Sequence, residues 1–200
     1  MNLSRLVSMF ILISFIVSCN EDEEPSNSLQ GGPFLPLVEG NQWEYEGDVS
    51  YTLRITGNTR EIDGKNYAEA ETKTNGQITN SYLNVENGEY FAVGFLSSTE
   101  VSLILLKENE GIGATWQTSG NINGINAVYK FSIEEKGIEH TVSGEKFDDV
   151  VRVKLDTIIQ LFGVEEVVGS QDIYFARGVG IIEIDLGALG NASLVDYTIN

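Results

Sequence analysis

Val151-Arg152-Val153-Lys154-Leu155-Asp156 alternates without interruption between apolar and charged residues. A period of two puts Val151, Val153 and Leu155 on one face of a strand and Arg152, Lys154 and Asp156 on the other. A strand reads this way when one side of its sheet is packed and the other is wet. The same period returns in Tyr51, Leu53 and Ile55 against Thr52, Arg54 and Thr56, and in Tyr129, Phe131 and Ile133 against Lys130, Ser132 and Glu134. It returns once more in Ile182, Ile184 and Leu186 against Glu183 and Asp185. The spacing predicts a core built from Val151, Val153, Leu155, Phe131, Ile133, Ile182, Ile184 and Tyr197.

Between these runs stand Asp63-Gly64, Asn75-Gly76, Asn87-Gly88, Asn123-Gly124, Lys136-Gly137 and Gly190-Asn191. Asn-Gly and Asp-Gly supply the positive backbone angles of two-residue hairpin turns, so consecutive strands are expected to pair as an antiparallel meander. Gly144 is expected to turn the chain ahead of Phe147, and Gly178 and Gly180 to take angles closed to other residues while Val179 enters the core. No long 3.6-residue apolar stripe with caps is present. Short helices are expected only at residues 157–162 or around Pro36. A long open sheet exposes unpaired edges, so the expectation is an all-β domain curled into an incomplete barrel.

The amino-terminal part has a different character. Arg5 precedes the apolar run Leu6 to Ser18, which is too short to cross a bilayer core of about 30 Å and has the layout of a secretory signal. Cys19, the single cysteine in the chain, follows, and after it come Glu21-Asp-Glu-Glu24. The expected organisation is a signal peptide at 1–18, a lipidated acidic tether at 19–33 and one all-β domain at 34–200. Ile16-Val17-Ser18-Cys19 resembles the lipobox of bacterial lipoproteins. That resemblance implies diacylation of Cys19 and an outer-membrane, lipid-anchored protein. The acids after Cys19 resemble the surface-export tag of lipoproteins from Bacteroidota-type bacteria; read as composition alone, they are a solvated linker.

Acidic residues outnumber basic ones 30 to 12, giving a net charge of −18. Nucleic-acid affinity comes mainly from Lys and Arg on phosphates, so a chain without basic patches excludes that partner class. His140, the one histidine, offers no zinc site of the usual kind without further His or Cys ligands. It is formally available as the base of a Ser-His-Asp arrangement, but no nucleophile-elbow sequence accompanies it. Asn121, Asn123 and Asn126 around Gly124 lack the charge of a calcium loop. Adjacent acids at Glu134-Glu135, Asp148-Asp149 and Glu165-Glu166 point to opposite faces of a strand. The sequence therefore nominates no catalytic residue, metal or cofactor. Trp43, Tyr45 and Trp116 read as core or rim, with a sugar-stacking lining as the other reading.

Three further segments carry a resemblance. Pro36-Leu-Val-Glu-Gly-Asn-Gln-Trp-Glu-Tyr45, His140-Thr-Val-Ser-Gly-Glu-Lys-Phe-Asp-Asp-Val-Val-Arg-Val153 and Asp172-Ile-Tyr-Phe-Ala-Arg-Gly-Val-Gly-Ile-Ile-Glu183 resemble recurring elements of an uncharacterised group of exported lipoproteins. The resemblance implies an incomplete β-barrel like that of periplasmic lipoprotein carriers and assigns no catalytic residue. The function expected is that of a membrane-anchored, non-enzymatic protein holding an apolar or glycan ligand or a partner protein. The alternative is an envelope polysaccharide hydrolase using a pair of carboxylates.

Overall fold

The computed structural model describes residues 31–96, 99–122, 124–161 and 164–200. The expected signal peptide at 1–18, Cys19 and the acidic run lie outside the described residues. The described chain is an antiparallel meander of twelve strands: β1 (Gln42–Gly47), β2 (Tyr51–Ile62), β3 (Lys65–Thr74), β4 (Gln77–Glu86), β5 (Glu89–Leu96), β6 (Thr99–Lys107), β7 (Thr115–Ile122), β8 (Ile125–Val142), β9 (Glu145–Leu161), β10 (Val164–Ala176), β11 (Gly180–Asp185) and β12 (Asn191–Thr198). Each strand pairs with its sequence neighbour except across β6 and β7, and β1 pairs with β12. The sheet is thus a nearly closed barrel with one unsealed seam, between β6 and β7.

Local chemistry sets the hairpins. Asp63-Gly64, Asn75-Gly76 and Asn87-Gly88 all have positive φ at both residues, between 50° and 79°, the geometry whose twist matches that of the flanking strands. Ser143-Gly144 repeats it, with φ of 53° and 86°. Two sequence expectations are corrected. Lys136-Gly137 is not a turn. It lies inside the long strand β8, where the register against β9 shifts around Ile133, Lys136 and Ile138, so Gly137 serves a bulge that bends the strand. Nor is there a helix around Pro36 or over 157–161. The second stretch completes β9 by pairing with β10, because β-branched Ile158 and Ile159 gain more from the ladder than from a lone helical turn. Among the described residues the one helical turn is a 3-10 turn at Gly187–Leu189 between β11 and β12.

Val151, Val153, Phe131, Ile133 and Ile182 are fully enclosed and Leu155 nearly so. Ile184 and Tyr197 are half-buried and pack against the edge of the core. Trp43 donates its indole N–H to the Val179 carbonyl at 2.6 Å, and Tyr45 donates its hydroxyl to the Ile181 carbonyl at 2.7 Å. Both therefore belong to the core, with their polar ends satisfied. Trp116 spans the seam: its ring stacks on Phe131 at 5.6 Å, and its N–H reaches the Ile104 carbonyl on β6 at 2.7 Å.

The strands alternate in direction, so the turns segregate to two ends. At one end lie the turns after β2, β4, β8 and β10, together with residues 31–41 and the carboxyl terminus. That end is plugged. Phe34 is fully buried, its backbone N–H donates to the Tyr90 hydroxyl at 2.9 Å, and the Arg177 guanidinium lies 4.1 Å above its ring. Arg177 also bonds Asp149 at 2.5 Å and the Gly32 carbonyl at 3.3 Å, while the Gly178 N–H donates to the Pro33 carbonyl at 2.9 Å. Lys136 donates to the carbonyls of Glu108 and Glu110 beside this end. Asn41, the one buried polar residue among the described residues, donates to the carbonyl of Pro36 at 3.0 Å and accepts the backbone N–H of Asn200 at 2.9 Å, joining the segment ahead of β1 to the carboxyl end.

Candidate functional site: an apolar groove at the barrel mouth

A barrel of about eight strands can be filled by its own side chains, and a wider one leaves space. This twelve-strand sheet resolves the excess unevenly. Toward the plugged end the inward positions are large: Tyr90, Leu106, Phe147 and Phe175, with Phe34 added from outside the sheet. Toward the other end the inner face includes small residues: Ser81 near Gly94, Gly120 opposite Ala127, and Thr157 opposite Gly169. At this mouth lies a groove of about 510 Å³ lined by Leu155, Thr157, Val168–Gln171 and Leu186–Leu189. Its size is that of a small-molecule site.

Two local features shape the groove. The β9–β10 register slips between Val167 and Gly169, so Val168 is an unpaired bulge residue and Gly169 leaves the wall without a side chain. The 3-10 turn brings Leu186 to Leu189 against β10, held by the Gly187 N–H donating to Asp185 at 2.8 Å and the Leu186 N–H donating to the Gly190 carbonyl at 2.9 Å. Exposed apolar residues in the lining are Leu189 at 79% and Val168 at 50%, and Val164 at 67% and Val167 at 56% precede Val168 on β10. Single exposed apolar residues need no explanation, but a cluster beside an apolar groove marks an interaction site. The sequence carried a faint signal for it, since alternation breaks at Ile158-Ile159 and Val167-Val168.

A second groove, of about 560 Å³, runs over the wet face of β1, β2 and β3. Its lining includes Gln42, Glu44, Glu46, Arg54, Glu71 and Lys73. Glu71 is bound to Arg54 at 3.5 Å. Glu44 and Glu46 stand two residues apart on one strand and are both exposed. A glycosidase pair must approach a bond from two sides, one member being a buried acid, and these two carboxylates rise side by side from a single strand.

His140 stacks on Tyr174 at 4.1 Å, and its Nε2 lies 2.6 Å from Glu183 Oε2. Ser193 donates to the other carboxylate oxygen of Glu183 at 3.2 Å. The hydroxyl thus meets the carboxylate and not the imidazole, which is the wrong order for a Ser-His-Asp triad. Tyr174 ionises above its ordinary range, chiefly because of burial and then because of the neighbouring Asp172 carboxylate. The Asn121 side chain accepts the Gly124 N–H at 2.6 Å and so serves the β7–β8 turn. Among the described residues no group of three or more His, Cys, Asp or Glu side chains is placed to hold a metal ion.

Comparison of the chain with family models, curated protein sequences and solved structures finds no match. The functional reading therefore rests on the sequence and the geometry.

Proposed function

We propose that the protein is an outer-membrane lipoprotein, anchored through Cys19 and non-enzymatic, that holds an apolar acyl-type ligand at the mouth of its barrel. The observation that carries this reading is the apolar, exposed groove at the end of the barrel opposite residues 31–35, so that an anchor upstream of Gly31 leaves the mouth facing away from its own membrane. The domain's negative charge agrees with a body that stands off an anionic surface and meets its ligand elsewhere. A hydrolase would find carboxylates in the polar groove of β1 to β3, but their common strand and exposure favour holding over cleaving.

Fluorescence of N-phenyl-1-naphthylamine, an uncharged apolar probe, tests the site. The mature protein is expected to bind it, and Leu189→Asp and Val168→Asp, both at exposed rim positions, are expected to weaken binding at least tenfold while leaving the melt unchanged. Binding that ignores both substitutions would remove the mouth from consideration. Metabolic labelling with a clickable fatty acid tests the anchor separately: label on the wild type and none on Cys19→Ser is the expected result, and equal labelling ends the lipoprotein reading.

A further inference from the structure

The exposed large apolar residues are spread unevenly over the barrel. Val49 stands in the connection between β1 and β2, Ile78 just past the β3–β4 turn, Ile125 and Val164 at the first positions of β8 and β10, and Leu189 in the 3-10 turn before β12. All of them belong to the mouth, each at a different connection between strands. At the plugged end the turns after β2, β4, β8 and β10 carry none. Val38 and Ile112 are the exposed large apolar residues there among the described residues, and Val195 lies along β12.

Scattered singly, such residues need no explanation. Repeated at successive connections around one opening, they form a rim. A molecule seated in the groove does not account for it, because Val49, Ile78 and Ile125 are not part of the lining. A flat apolar phase meets them all at once.

Charge decides which apolar phase. Asp48 adjoins Val49, Glu165 and Glu166 follow Val164, and Asp185 stands before the 3-10 turn, all exposed, while Lys73 is the base paired with Ile78. A second copy presenting the same rim would set carboxylate against carboxylate, and the net charge of −18 adds to that repulsion. An anionic lipid surface is opposed for the same reason. A zwitterionic phospholipid surface has no net charge. Its ammonium groups lie outermost, where carboxylates are attracted to them, and its acyl chains lie beneath, where apolar side chains are taken up at the headgroup boundary.

We infer that the mouth docks on the surface of a zwitterionic phospholipid bilayer, with Val49, Ile78, Ile125, Val164 and Leu189 entering the boundary between headgroups and acyl chains. Docking is a property of the rim, so it goes beyond the reading of the groove as a ligand site and is tested apart from it.

The mature chain with Cys19→Ser, which has no thiol to carry an acyl anchor, is floated with vesicles of dioleoylphosphatidylcholine. It is expected to rise with them. The pair Val49→Asp and Ile78→Asp, made together on that chain, should lower binding about tenfold or more, the effect of withdrawing two aliphatic side chains from an apolar phase. Val38→Asp with Ile112→Asp, the same change at the plugged end, should float undiminished. Partial replacement of the lipid by anionic dioleoylphosphatidylglycerol should weaken binding. Both pairs occupy exposed positions and are expected to melt as the unsubstituted chain does; Ile125→Asp, at a separate connection, repeats the test should the mouth pair melt lower. Absence of flotation, equal loss in the two pairs, or stronger binding to the anionic vesicles overturns docking. Self-association that the mouth pair abolishes, without flotation, overturns it in favour of a second copy. Binding of N-phenyl-1-naphthylamine without vesicles separates the two readings: a chain that floats but does not bind the probe loses the ligand and keeps docking, and a chain that binds the probe but does not float does the reverse.

Discussion

Trp43 and Gly180 share one volume: a Cβ on Gly180 would stand 2.9 Å from the indole Nε1, and Gly180 holds φ at 128°. The same Nε1 is fixed by its bond to the Val179 carbonyl, so the indole has no direction in which to yield. Gly180→Ala is expected to destabilise by about 3 kcal/mol, combining backbone strain with overpacking. Gly64→Ala, at a positive φ with open space around it, should cost only about 1 kcal/mol. Urea denaturation of the two variants checks the difference, and equal costs would mean that the Trp43 contact carries no energy.

Val153→Asp is expected to unfold the domain. Val153 is fully buried, and an unpaired interior carboxylate costs several kcal/mol against a total stability of about 5 to 15. Lys154→Asp, one residue along and on the wet face, should remain folded. Circular dichroism of both proteins reads the result, and the two substitutions together report the phase of β9.

Trp116→Phe retains an aromatic ring against Phe131 and removes the donor that crosses to Ile104. The expected loss is about 1 kcal/mol, the net value of one hydrogen bond. Hydrogen exchange should quicken along β6 and β7 while the β8–β9 ladder keeps its protection, because the seam has no backbone ladder of its own to fall back on. Uniform quickening across the sheet would show that Trp116 supports the core and not the seam.

Tyr197 is held above its ordinary ionisation range, pushed up to about 12 by burial and then by the Glu145 carboxylate that accepts its hydroxyl at 3.2 Å. The unfolded phenol ionises near 10. Its neutral form is therefore favoured in the folded state, and the contribution is complete below about pH 10 and lost as pH rises toward 12. Stability measured by denaturant at pH 9, 10 and 11 should fall, and Tyr197→Phe should show a shallower fall over the same interval. Identical slopes would mean that Tyr197 ionises equally in both states.

The sequence by itself determined the strands and most of their joints. Alternation in Val151–Asp156 and in Tyr129–Glu134 is a one-dimensional record of a two-sided sheet, and Asp63-Gly64, Asn75-Gly76 and Asn87-Gly88 determine their turns through backbone angles that few other pairs adopt. Lys136-Gly137 looked the same on paper, yet its neighbours pair on through it, because a bulge and a turn ask for similar residues and differ only in what the partner strand does. Ile184 and Tyr197 have the correct phase, but how deeply they are buried depends on where the strand sits around the barrel.

What tertiary structure alone decided is closure. The β1–β12 pairing brings together strands whose paired residues lie more than a hundred positions apart, the Phe34 plug joins the first described residues to Tyr90 and Arg177, and the seam falls between two consecutive strands. The groove follows from these, since Leu155 and Leu189 meet only once the last turn folds back over the mouth. Local patterns encode which way a side chain points. Which side chains face each other across an interior depends on strand number, bulges and register summed around the whole circumference, and no short stretch of sequence contains that sum.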